Sequence, residues 1–221
     1  MATRQIKTVQ DFIGAVEDYG QIGLIYRGVK SCDYALKPKI GRLKVLNGGD
    51  FESHHEKHII HLFKQRAVPF LTRLPSSEWE WFSLAQHHGL PTRLLDWTRN
   101  PLVALYFAIE EEFTGDSVVY AYRYDELLKP LPDNPFEVEA VERVSPSYVA
   151  NRIAAQSGVF TIHPKPSEAF TSERIDLMLI PNNKRREIKR TLYLLGIHRE
   201  SLFPDLDGLA SHITWLRSDN Y

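Results

Sequence analysis

A single cysteine, Cys32, stands among 221 residues, which excludes an internal disulfide and suits a reducing compartment. Long apolar runs are missing too. No stretch of 18 apolar residues occurs, and Met1 to Asp11 lacks the apolar centre of a secretory signal, so a cytoplasmic protein without membrane contact is expected. Charge of one sign is also absent: 27 Lys and Arg face 28 Asp and Glu, for a net charge of -1 and a pI near 6.8. No global field would therefore draw in nucleic acid or an anionic surface. Several chemical signatures fail to appear: the glycine-rich phosphate loops, a G-x-S-x-G nucleophile elbow and an H-E-x-x-H metal helix. Neither repeats nor linkers interrupt the chain, and one domain over residues 1–221 is the simplest division.

What is present reads as a mixture of helices and strands without strict alternation. The expected class is α+β, with small mixed or antiparallel sheets flanked by helices. Thr8 to Tyr19 predicts an amphipathic helix capped by Thr8, with Phe12, Ile13, Val16 and Tyr19 along its buried face. Leu24 to Gly28 reads as a strand with a polar end, which places Arg27 where a buried strand opens into a loop. A partly buried arginine paired with a carboxylate is the plain alternative there. Leu36 to Arg42 is an irregular, basic connection. Asp50 to Val68 predicts a long helix burying Phe51, Ile59, Leu62, Phe63 and Val68. Its His54, His58 and His61 have the spacing of metal ligands, but no cysteine or distant third ligand accompanies them. A solvated polar face, and no metal, is expected.

Trp79 to Gln86 predicts a helix ended by His87-His88-Gly89, with Pro91 just beyond. A polar, aromatic-rich loop of about ten residues then leads to a helix starting at Asn100-Pro101. Leu102, Leu105, Tyr106 and Ile109 give that helix its apolar periodicity, and Ala104 and Ala108 leave it a narrow flank for close backbone approach. Ser117 to Tyr124, Val159 to Ile162 and Ile175 to Ile180 read as strands. Asp125 to Pro146 reads as an irregular connection, with Val144 to Pro146 returning the chain to the core. Gln156 falls at the hinge between a short helix and a strand. Asn182 to Arg190 reads as a solvated turn and helix start, and a turn over Phe203 to Gly208 docks a last helix, Leu209 to Leu216.

The polar residues at element ends define the candidate site: Tyr26-Arg27-Gly28, His87-His88, Thr92-Arg93, Asp96-Trp97-Thr98 and Gln156. Guanidinium forks suit pyrophosphate, and Trp97 or Tyr106 suits stacking on a flat ring. An alternative use of the same groups is hydrolase or nuclease chemistry with His87, His88 and Asp96 as acid and base. A third is a non-catalytic module that binds a nucleotide or a protein.

Tyr26-Arg27-Gly28, the run LAQHHGLPTRLLDWT from Leu84 to Thr98, and Ala104 to Ala108 together resemble the FRG domain, named for an aromatic-Arg-Gly motif. Leu195 to Ile197 and Leu202 to Leu209 resemble the family's closing motif, so the likeness spans about residues 20 to 212. A weaker resemblance is to ADP-ribosyltransferase folds of the Arg-Ser-Glu type. It implies NAD as substrate, with Arg27 clamping pyrophosphate beside Tyr26 and Gly28, and His87 or His88 at the adenylate end. Thr92 and Arg93 would assist binding, Trp97 or Tyr106 would stack, and Thr98 and Gln156 would hold ribose. Gln156 stands where those enzymes carry a glutamate; either Asp96 takes the acidic role, or the fold binds a nucleotide without cleaving it. The implied partners are a nucleotide-type small molecule and a protein or nucleic-acid acceptor, in the setting of a toxin or defence effector.

Overall fold

The computed structural model describes residues 3–20, 23–46, 49, 51–124, 130–145 and 151–218. Asp50, Asp125 and Pro146, the ends of two expected segments, lie outside them. The fold is α+β, as expected, but it has one sheet rather than several small ones. Seven strands follow the order β1-β7-β4-β2-β3-β6-β5. They are β1 (Thr3–Gln5), β2 (Leu24–Val29), β3 (Leu94–Thr98), β4 (Ser117–Arg123), β5 (Glu142–Val144), β6 (Gly158–Ile162) and β7 (Ile175–Ile180). The β1–β7 pair is parallel and the others are antiparallel.

Helix α1 (Val9–Tyr19) begins at Thr8, whose hydroxyl accepts from the Asp11 N–H while the Asp11 carboxylate accepts from the Thr8 N–H. Its buried face is Val9, Phe12, Ala15 and Tyr19. Ile13, expected inside, is 41% exposed. Helix α2 (Ser53–Ala67) is shorter than expected and buries Glu56, Ile60 and Ala67, while Val68 lies outside. Helix α3 (Glu78–His87) ends at Gly89, whose φ of +82° is the left-handed conformation that favours glycine. Helix α4 (Pro101–Ile109) is capped by Asn100, whose side chain accepts from the Leu102 N–H. The chain continues through α5 (Asn151–Ala155), α6 (Arg185–Leu194), α7 (Arg199–Leu202) and α8 (Leu206–Arg217). No helix among the described residues is long and apolar enough to cross a membrane.

One core joins α1, α4 and α6 to Tyr26, Val119, Ala121, Met178 and Ile180 of the sheet. A second gathers Ile25, Leu95, Trp97, Val118, Tyr120 and Val159 with Leu36 and the ring of Phe170. A third packs α2 and α3, through Ile60 and Phe82, on Leu94, Phe160 and Ile162. Strand β3 thus has cores on both faces and lacks the alternation that marks a half-buried strand. For that reason the expected ten-residue loop turns out to contain a strand. The expectation that Asn182 to Arg190 is a solvated turn and helix start is corrected as well, since the first turns of α6 are partly buried. Arg185 is fully buried and bonded to the Ser117 hydroxyl, and Lys189 is 8% exposed.

Candidate functional site

The central strands β2 and β3 pair at Tyr26–Thr98 alone, whereas β2 is bonded to β4 from Leu24 to Val29 and β3 to β6 along its whole length. Beyond that pair the two strands part, and the sheet opens into a cleft of about 540 Å³. Arg27 to Lys30 form one wall and Leu94 to Thr98 the other. The end of α3 supplies Gln86 and His87, α4 supplies Ala104, Phe107 and Glu110, and α5 with its hinge supplies Arg152 and Gln156. Splitting a sheet strands backbone groups that a ladder would satisfy. Arg27 meets part of that need: its guanidinium donates to the Asp96 carbonyl at 2.6 Å across the gap.

The Asp96 carboxylate lies 3.7 Å from the same guanidinium and is 56% exposed, against 21% for Arg27. Burial lowers Arg27 from its ordinary value and the Asp96 charge opposes that, so the guanidinium stays charged. Gln86 orders the anion. Its amide nitrogen donates to Asp96 at 3.0 Å, and its amide oxygen accepts from the Thr92 hydroxyl at 2.7 Å. Burial, then the charges of His88 and Arg152, lowers His87, which keeps it neutral near pH 7. Burial raises the Glu110 carboxyl while its partner Arg199 opposes the shift.

Cations outnumber carboxylates on the lining. Arg27, Lys30, Lys39, Arg42 and Arg152 face Asp96, Glu110 and Glu111. Lys30 is paired with Glu111, and Lys39 donates to the Gly89 carbonyl. The guanidinium groups of Arg42 and Arg152 make no hydrogen bond among the described residues; that of Arg152 instead lies 4.3 Å from the Phe203 ring. Two guanidinium forks are therefore open to a ligand. Sequence reasoning placed neither in the site, although Arg42 ends the basic connection it noted.

Of the residues singled out in the sequence, Tyr26, Arg27, Gly28, His87, Asp96, Trp97, Thr98 and Gln156 line the cleft. Their roles differ from those expected. Tyr26 is 4% exposed in the first core. Trp97 is 4% exposed, packs against Tyr122 and donates through its indole to Thr161, so its ring is committed to the second core and not to stacking on a ligand. Thr98 donates to the Gln156 carbonyl at 2.6 Å and accepts from the Asn100 N–H, which ties β3 to the start of α4. The Gln156 amide donates to the Leu202 carbonyl at 3.0 Å. Thr92 and Arg93 lie inside, the latter bonded to Glu56. Tyr106 is buried in the first core and borders a separate hollow, and His88 is exposed away from the cleft.

Among the described residues, His198, Glu200 and His212 have ligand atoms within 4.8 Å of one another, close enough to suggest a cation site. The two imidazoles, however, are stacked 4.2 Å apart at 13°, and Trp215 continues the stack on His212. One ion cannot lie in two parallel ring planes, so the cluster is aromatic packing in this conformation. His54, His58 and His61 are exposed on α2, as a solvated face requires.

Comparison with known families finds the FRG domain over residues 23–117. No curated protein and no solved structure matches the chain. The matched span runs from the approach to β2 through β3 and α4, and so contains both strands that part to form the cleft. Over residues 23–117 the chain carries the match to the FRG domain.

Proposed function

We propose that the cleft binds a pyrophosphate-bearing nucleotide, NAD, and that the protein is an ADP-ribosyltransferase-like enzyme. The observation that carries the reading is the pair of open guanidinium forks, Arg42 and Arg152, in a split sheet that Arg27 also lines. Planar forks match phosphate oxygens two at a time, and the surplus of cations offsets the charge of two phosphates. In this reading the nicotinamide leaves with the bonding electron pair, and positive charge develops on the ribose. Asp96, aimed by Gln86 and accessible from the cleft, is the carboxylate that stabilises it. Gln156 holds the hinge of α5 through its bond to Leu202 and supplies no charge. Glu110 is a second carboxylate on the lining, but its pairing with Arg199 makes it the less available one.

The test is calorimetric titration with NAD and ADP-ribose together with an assay of released nicotinamide. The intact protein should bind both ligands and release nicotinamide. Arg27→Ala should weaken binding by roughly 10- to 100-fold, the worth of a charge-assisted phosphate contact. Asp96→Asn should keep binding and lower release by about 100-fold or more. Binding without release would reduce the protein to a nucleotide-binding module, and absence of binding would remove NAD from the reading altogether.

A further inference from the structure

Five Phe, Tyr and Trp residues line the cleft, and three of them are closed to a ligand. Tyr26, Trp97 and Phe160 are 4%, 4% and 5% exposed, each packed in one of the cores. Phe107 is half-buried and meets Phe203 edge-on at 6.0 Å, the same ring that Arg152 lies against. Tyr34 is different, with 47% of its surface exposed. An exposed tyrosine alone means little, but this one is held in place. Its N–H donates to the Ser31 carbonyl at 3.2 Å, and its carbonyl accepts from the Tyr120 hydroxyl at 3.4 Å. The Cys32 N–H ties the same turn to the Asp116 carbonyl at 3.0 Å. The Tyr34 ring meets that of Phe113 at 6.5 Å and a tilt of 56°. A ring fixed in this way costs little to order when a ligand arrives.

Because β2 and β3 pair only at Tyr26–Thr98 and diverge from there, the cleft has a closed end and an open one. Gln156 and Arg152 belong to the closed end, through the bond from Thr98 to the Gln156 carbonyl. Tyr34 stands at the open end, just beyond Val29, where β2 stops. Arg42 reaches that end from the other wall: the Ile40 N–H donates to the Thr92 carbonyl at 3.4 Å, shortly before β3 begins. An anchored ring and an open guanidinium at one end of a cleft suit a flat ring joined to a phosphate. We propose that Tyr34 is the stacking platform of a nucleobase subsite at the open end, with Arg42 holding the adjoining phosphate. The subsite rests on the nucleotide reading of the cleft and fixes how the nucleotide lies, with the base at Tyr34 and the reacting ribose deeper, beside Asp96. It also sets the specificity. The two side-chain amides on the lining are engaged, Gln86 with Asp96 and Thr92, and Gln156 with Leu202. Among the described residues no carboxamide of the lining is left to read the edge of a base. Stacking tolerates any base, because each has a π-face, so adenine and guanine are held alike.

Calorimetric titration of the full chain with ADP, GDP and nicotinamide mononucleotide tests the subsite. ADP and GDP should bind within severalfold of one another. Tyr34→Ala should weaken both by roughly 10- to 100-fold, the worth of one base on an aromatic platform. It should leave the mononucleotide unchanged, because that ligand lies at the Asp96 end and carries no second base. Tyr34→Phe should keep the affinity for ADP, since stacking uses the ring and not the hydroxyl. In Tyr34→Trp, ADP should quench the fluorescence of the added indole, a readout that loss of fold in the alanine variant cannot touch. ADP affinity unchanged in Tyr34→Ala, equal weakening of ADP and the mononucleotide, or a strong preference for one purine would each overturn the subsite and leave a nucleotide in the cleft. If the intact protein binds neither these three ligands nor NAD, the nucleotide reading itself falls, and the subsite with it.

Discussion

Gly28 illustrates how a single missing atom shapes the site. A Cβ built on it would fall 1.8 Å from the Ala104 carbonyl oxygen and 2.5 Å from the Ala108 nitrogen. Both are backbone atoms, so no side chain can swing aside. The narrow Ala104/Ala108 flank of α4 is where β2 approaches, and that close contact brings Arg27 to the mouth of the split. Gly28→Ala should therefore destabilise the fold by about 3 kcal/mol or more, through forced separation of β2 and α4. Gly14, mid-way along α1 with nothing within 4 Å of its built Cβ, is the matched control. Gly14→Ala should stabilise by roughly 0.5–1 kcal/mol from helix propensity alone. Urea unfolding of the two variants gives the comparison; similar midpoints would mean that α4 yields easily at Gly28.

At the scale of elements, α2 is fastened to β3 by one buried ion pair. Glu56 accepts from the Arg93 backbone N–H at 2.7 Å and from its side-chain Nε at 3.0 Å, and Ser53 accepts a third bond at 3.1 Å. Both charges are almost wholly buried. Burial raises the Glu56 carboxyl and Arg93 opposes the rise. Removing either partner strands the other, so Arg93→Met or Glu56→Met should each cost about 3–5 kcal/mol, while the double variant should recover much of that loss. A double-mutant cycle by chemical unfolding reads the coupling directly; additive losses would refute it. The same pair shows what could and could not be read from sequence. Local signals survived intact: the Thr8 cap with Asp11, the stop at Gly89, and the Asn100-Pro101 entry to α4. Each depends only on neighbours within one turn. Arg93 did not, because the carboxylate that pulls it inward stands 37 positions earlier. Trp97 was misplaced for a related reason, since nothing nearby marks a strand covered on both faces. The cleft residues around Arg27 and Asp96 were legible as a cluster, but Arg42 and Arg152 join them only through the topology of the sheet.

Across the whole molecule, that sheet links the cleft to stability in acid. His163 follows β6 and is 3% exposed. Trp97 donates to the Thr161 hydroxyl at 2.9 Å, and a 2.8 Å contact joins that hydroxyl to His163 Nε2. The hydroxyl has one proton to give, so this chain is satisfied when Nε2 is an acceptor, in a neutral imidazole. Burial, reinforced by the charge of Arg27, lowers His163 from 6.5 to about 4. The unfolded chain therefore takes up a proton near pH 6.5 that the folded chain refuses until about pH 4. Stability from this group is present in full above the unfolded value and is lost as pH falls through the window between them. The loss amounts to about 3 kcal/mol at most, at roughly 1.4 kcal/mol per pH unit. Urea unfolding at pH 7 and near pH 4, on the intact protein and on His163→Gln, isolates the contribution from that of the carboxylates. The variant should lose less stability over that interval, because glutamine binds no proton in either state. Equal losses in the two proteins would show that His163 titrates alike folded and unfolded, and that the Trp97–Thr161 chain does not hold it neutral.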